Sequence, residues 1–170
     1  YAATPALQTE PGFWQQQLQG ASAALPYDHP HGGQQHDQAL TIRSKLDKAL
    51  TRQLLQDAPQ AYRTQVNDLL LTALARVMVR WTGADNALVL LEGHGREDLS
   101  DSIDLTRTVG WFTSVFPARL SPVAELGASL KQVKEQLRAI PHKGIGFGAL
   151  AHLGDEQSRK ALQGLPAPRL

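Results

Sequence analysis

The run Ala87-Leu88-Val89-Leu90-Leu91, closed by Glu92-Gly93-His94-Gly95-Arg96-Glu97, constrains the fold of this chain more than any other stretch. Five consecutive apolar residues read as a short strand covered on both faces. Such a strand needs a packing layer on either side, and the sequence just upstream offers one. Between Gln65 and Trp81 apolar residues recur with a helical period at Val66, Leu69, Leu70, Ala73, Leu74, Val77, Met78 and Trp81. Leu71, Ala75 and Val79 widen that stripe, so the helix is expected to be largely buried, with Gly83 as its stop. A long helix leading into a buried strand places the chain in the α/β class.

The remaining elements are shorter. Residues 12–19 suggest a helix anchored by Phe13 and Trp14, and residues 20–36, with Pro26, Pro30, Gly32 and Gly33, read as a linker. Ala39 to Leu46 alternates loosely through Leu40, Ile42 and Leu46 and is expected to be a strand. Asp47 is placed to cap a helix carrying Leu50, Leu54 and Leu55 that ends near Ala58-Pro59. A second strand is expected over Trp111–Leu120. An amphipathic helix through Leu126, Leu130, Val133 and Leu137 follows, then a glycine-rich loop over 144–148. Helices around Ala149–Leu153 and Asp155–Leu162 close the chain.

Composition removes several function classes. The 170 residues contain no cysteine, which excludes disulfides, thiolate metal sites and a cysteine nucleophile. Lys and Arg are dispersed and the formal net charge is +1, so no basic stripe exists for nucleic acid. Apolar runs fall far short of the about 20 residues of a membrane span. The start, Tyr1-Ala2-Ala3-Thr4-Pro5, has neither the pattern of a signal peptide nor an initiator Met; it reads as an internal piece, and a cytoplasmic location is the default expectation.

The chemistry concentrates after the buried strand. A Glu in that position is either a satisfied structural carboxylate, paired with Arg96 or Arg107, or a catalytic base whose pKa burial would raise toward neutrality. Alternation along the strand puts Glu92 and His94 on one face, with Gly93 and Gly95 leaving space for a substrate. Arg96 and Glu97 are expected to hold the loop by ion pairing. Ser114 lacks the Gly-x-Ser-x-Gly elbow of a serine hydrolase. Gly144-Ile145-Gly146-Phe147-Gly148 lacks the Gly-x-x-x-x-Gly-Lys-Ser/Thr pattern of a phosphate loop and reads as a flexible bridge. His29, His31 and His36 fall in a polar Pro/Gly-rich segment and read as solvated linker, with no metal expected.

In chain order, Val66–Leu74, Glu92–Glu97, Arg107-Thr108-Val109-Gly110-Trp111-Phe112-Thr113-Ser114 with Phe116-Pro117-Ala118-Arg119-Leu120, and Pro141–Gly148 resemble signature motifs of the epimerization domains of nonribosomal peptide synthetases. Those domains are relatives of condensation domains. The resemblance implies a chloramphenicol-acetyltransferase-like α/β fold of two subdomains in a V. Residues 1–36 would be a helix and linker from the preceding subdomain, and 37–170 an incomplete C-terminal subdomain.

The implied activity is epimerization, L to D at Cα, of an aminoacyl or peptidyl thioester. Glu92 would be the catalytic acid/base, and His94, Trp111, Thr113 and Ser114 would line the substrate tunnel. For His94 an orienting or hydrogen-bonding role weighs at least as much as proton transfer. The family's partner His-His-x-x-x-Asp-Gly motif does not occur in these residues, so the chain reads as a fragment holding half an active site, expected to be inactive alone. At Phe147 the family often has Tyr.

No intrinsic cofactor is implied, since the phosphopantetheine belongs to a carrier protein. The implied partners are that peptidyl carrier protein, the remaining half of the domain and neighbouring synthetase modules, with no nucleic acid and no membrane. A condensation-type acyl transferase and a non-catalytic carrier-docking or scaffold piece are the competing readings.

Overall fold

Strands β1 (Ala87–Gly93) and β2 (Ser114–Leu120) pair antiparallel, with Val89 opposite Ala118, Glu92 opposite Val115 and Gly93 opposite Ser114. In the computed structural model, which describes residues 1–29, 31, 32, 35, 37, 39–97, 99 and 103–170, these two strands form a two-stranded sheet. β2 starts three residues later than the sequence expectation, at Ser114 rather than Trp111. Pro117 has no N–H to give to the ladder, and its opposite residue, Leu90, donates its N–H to the Leu170 carbonyl at 2.7 Å.

Helices cover this ribbon. Short α1 (Pro5–Gln8) and α2 (Pro11–Leu18) contribute Leu7 and Trp14 to a core shared with α5 (Val66–Thr82), both strands and α6 (Leu126–Arg138). Leu88, on the other face of β1, packs with Leu18 and Ala21 in a second cluster. The double cover therefore extends from Ala87 to Val89 and stops there: Leu90 is 46% exposed and Glu92 is exposed. This corrects the expectation of a strand buried along its full length. Helices α7 (Ile145–Leu153) and α8 (Glu156–Leu162) complete the packing around β2 and α2.

The long helix forms as its period predicts, and Gly83 ends it at φ 72°. Its first turn is closed by Asp68, whose carboxylate accepts the Gln65 N–H at 2.8 Å. The buried side differs from the expected stripe. Asp68, Leu69, Leu71, Thr72, Ala75 and Met78 are buried, whereas Leu70, Leu74, Val77 and Trp81 are exposed. A helix that is apolar nearly all round gives periodicity no means of choosing a face. The side that meets β1 and α6 is buried, and the other is left largely exposed.

Three further expectations are corrected. Residues 39–46 form no strand, and Leu40 and Ile42 are each 92% exposed. A strand needs a hydrogen-bonding neighbour, and none lies beside this segment among the described residues. Asp47 does cap the next helix, accepting the Leu50 N–H at 2.8 Å. The helical run passes Pro59, from α3 (Lys48–Arg52) through a π-helical turn over Gln53–Asp57 into α4 (Ala58–Tyr62): the π turn closes with the Ala58 N–H on the Gln53 carbonyl, so Pro59 falls in the first turn of a new α segment, where its missing N–H breaks no bond. The glycine-rich 144–148 segment is not a loop: a 3₁₀ turn over Pro141–Gly144 runs directly into α7.

Gly144 is required at that junction. Its φ is +83°, and an added Cβ would lie 2.1 Å from the Phe116 ring. Gly144→Ala should destabilise the chain by about 3 kcal/mol, from left-handed strain plus overpacking. Thermal unfolding should report this as a midpoint roughly 6–12 °C lower.

A second prediction concerns acid. The Glu125 carboxylate caps α6 by accepting the Ala128 and Gly127 N–H groups, which hold its pKa below the usual carboxylate range. Its contribution is complete above the unfolded-state pKa of about 4.3 and is lost as pH falls through the lower folded value. The stability gap between the native chain and Glu125→Gln should accordingly be widest near neutral pH and close on acidification, as followed by urea unfolding across a pH series.

Candidate active site

β1 runs out into a cleft of 420 Å³. It is lined by Leu91 and Phe116 of the two strands, by Gln65, Asn67 and Asp68 at the start of α5, and by Leu137, Arg138 and Ile140 at the end of α6. Glu92, His94, Glu97 and Lys143 stand around it. Grooves of 610 Å³ beside Val77 and Leu126 and 710 Å³ beside Tyr62 and Lys134 are larger. Neither contains a residue of the Glu92–Glu97 run, and the smaller cleft is where the titratable groups converge.

Glu92 is exposed, so this chain alone does not supply the desolvation expected of a doubly covered strand. Neither Arg96 nor Arg107 pairs with it, and among the described residues its carboxylate has no hydrogen-bond or ion-pair partner.

The loop after it is closely determined. Gly95 has φ +66°, and a Cβ there would fall 1.5 Å from the Phe112 carbonyl oxygen, so only glycine fits. Among the described residues Arg96 makes no ion pair. Its guanidinium donates to the carbonyls of Leu105 at 2.7 Å and Thr108 at 2.8 Å, and lies 4.3 Å from the centre of the Phe112 ring. Glu97 does pair through charge, but with the Lys143 ammonium, Nζ at 2.7 Å, and its other oxygen faces His94 Nε2 at 3.2 Å. His94 Nδ1 accepts the Arg96 backbone N–H at 3.0 Å.

Lys143 reaches Glu97 from a turn with unusual geometry. His142 and Lys143 have φ of 43° and 51°, left-handed values rare for residues with a Cβ. Both side chains end on carboxylates. His142 Nδ1 lies 2.9 Å from Glu10 Oε1, and Glu10, 3% exposed, also accepts the Trp14 indole N–H at 3.1 Å.

The structure thus brings Glu92 and His94 together on one cleft. It places the other sequence-predicted residues elsewhere: Trp111 is 91% exposed, Thr113 is exposed, and neither they nor Ser114 are among the lining residues. Ser114 sits at the rim, opposite Gly93 in the strand register. Sequence reasoning missed Asp68, Lys143 and Glu10. The first was legible as the acidic residue three positions after Gln65, a helix-start pattern; the pairings of the other two have no sequence signal, since their partners lie 46 and 132 residues away. Among the described residues, no group of three or more His, Cys, Asp or Glu could hold a metal ion, and no helix is long and apolar enough to cross a membrane. His29 and His31 are exposed, and His36 lies outside the described residues.

The condensation domain family model matches residues 1–167, and the chain belongs to that family. Its fold is the chloramphenicol-acetyltransferase-like α/β fold of condensation and epimerization domains. Among particular proteins, it is 41% identical over 159 residues to bacitracin synthase 2 of Bacillus licheniformis, covering 92% of this chain and 6% of that one. The chain therefore spans only a small part of the synthase it matches. The epimerization domain from the third module of tyrocidine synthetase B superposes with a TM-score of 0.86 at 37% identity, over 99% of this chain and 38% of that domain. The first condensation domain of the calcium-dependent antibiotic synthetase shares the fold at a TM-score of 0.67 and 18% identity, over 99% of this chain and 37% of that one.

The Arg96 contacts predict a local effect. Arg96→Ala should raise amide hydrogen exchange across residues 105–112 while leaving β1 and α5 protected, because two carbonyl contacts and a ring contact are lost from that loop alone.

Proposed function

We propose that the chain forms one side of the active site of an epimerization domain acting on an aminoacyl or peptidyl thioester. The thioester would be carried on the phosphopantetheine arm of a carrier protein, with Glu92 as the acid/base on this side. The observation that carries the reading is the Glu92 carboxylate, unpaired among the described residues at the mouth of the 420 Å³ cleft. Support comes from the likeness to the tyrocidine synthetase epimerization domain, which spans 99% of the chain.

In this reaction a base takes the Cα proton, the electron pair moves into the thioester carbonyl to give an enolate, and a proton returns to Cα on the opposite face. Inversion requires proton carriers on both faces. Glu92 provides one. The other would be the histidine of the His-His-x-x-x-Asp-Gly motif, which these 170 residues do not contain, on a longer domain whose second subdomain would also close the site from water. The carrier protein, that second subdomain and neighbouring modules are the partners this reading requires.

The test is solvent-deuterium exchange at Cα of an aminoacyl-carrier thioester, using the complete domain. With Glu92 intact, exchange and inversion are expected. Glu92→Gln should lower the rate by at least about 100-fold. Exchange that is unchanged in Glu92→Gln would remove Glu92 from the chemistry. Absence of exchange in the native domain would favour acyl transfer, the reaction for which the matching family is named.

A further inference from the structure

The hydrogen bonds around His94 carry an inference that deepens, and rests on, the epimerase reading. A ring nitrogen that accepts an N–H has no proton of its own. Since His94 Nδ1 accepts the Arg96 N–H at 3.0 Å, the proton of the ring is on Nε2, which faces Glu97 Oε1 at 3.2 Å. The other oxygen of Glu97 takes Lys143 Nζ at 2.7 Å. Both ring nitrogens are therefore engaged, one by the backbone and one by a carboxylate that is itself anchored by a cation. A histidine held this way has no free lone pair to take a substrate proton, and gaining one at Nδ1 would break the loop's own bond.

We infer that His94 is a positioning residue, locked as the neutral Nε2–H tautomer by the Lys143–Glu97 pair, and is not the second proton carrier. The arrangement sets the loop that follows Glu92 against the turn that bears Lys143. That turn is a suitable anchor. Its left-handed residues are tied at His142 to the buried Glu10, and Gly144 beside them packs on the Phe116 ring. Strain of this kind persists where the surroundings hold it and clusters at functional sites. Glu97 and Lys143 thereby control where the Glu92 carboxylate sits relative to the cleft.

The experiment uses the complete domain with its aminoacyl-loaded carrier, Cα deuterium exchange as the rate, and imidazole ¹⁵N spectra of His94. The native protein should show the neutral Nε2–H signature. His94→Gln, whose amide N–H can still donate to Glu97 but which cannot shuttle a proton, should keep exchange within about tenfold of native. Glu97→Gln should lower kcat by about 10- to 100-fold with KM unchanged, as expected of misplacement rather than lost binding. Lys143→Met should lower it similarly, and the double variant should be no worse than Glu97→Gln alone. A native Nδ1–H or imidazolium signature, or His94→Gln as inactive as Glu92→Gln, would overturn the proposal; so would additive losses at Glu97 and Lys143. If the native domain exchanges no Cα proton, the epimerase reading fails by itself, and the ¹⁵N signature with a thermal-stability double-mutant cycle on Glu97 and Lys143 still decides the positioning role.

Discussion

The antiparallel register between Ala87–Gly93 and Ser114–Leu120 is the constraint on which the rest of the structure depends. Because Gly93 faces Ser114 and Leu91 faces Phe116, β1 leaves the sheet just above the Phe116 ring, and Glu92 emerges where helical cover has ended. The same ring meets Gly144 from below and thereby fixes the turn that delivers Lys143. A slip of one residue would reverse every side chain of β1, sending Val89 and Leu91 out of the core. Placement of the acidic loop, the cleft and the left-handed turn are all consequences of one pairing.

Electrostatics around the cleft act on geometry more than on stability. Lys143 and His142 are exposed at their tips, and pairs of that kind contribute little net free energy. Their carboxylate partners are different: Glu10 is buried and Glu97 largely so, and each has two groups to satisfy it. Removing one partner from a buried carboxylate costs more than the pair contributes. The consequence is specificity of position. The turn over 141–144 is tied on one side to the junction before α2 and on the other to the loop after β1.

What was legible in the sequence follows a physical division. Helix α5, its Gly83 stop, the Asp47 cap, the amphipathic α6 and the β1 core were readable because each is set by local spacing and capping chemistry. The strand expected over 39–46 failed for lack of a neighbour, and the expected buried stripe of α5 failed because helical period does not say which side another element will cover. Likewise, alternation put Glu92 and His94 near each other, but it gave no means of seeing that Arg96 would bind carbonyls or that Glu97 would pair with a lysine 46 residues away. Trp111, which the resemblance places along the tunnel, is 91% exposed here.

By itself, then, the sequence determined the long helices, the two paired strands, the family and the presence of an acidic, glycine-fitted loop after an apolar strand. These depend on residue identity and near-neighbour spacing, which a linear chain displays in full. Tertiary structure alone decided that Glu92 would be unpaired among the described residues and exposed, that His94 would stand between the Arg96 backbone N–H and the Glu97 carboxylate, and that the Pro141–Gly144 turn would be strained and braced. Those outcomes depend on which distant groups meet when the strands and helices pack, and charge pairing at a few ångströms is decided by that packing rather than by any local pattern.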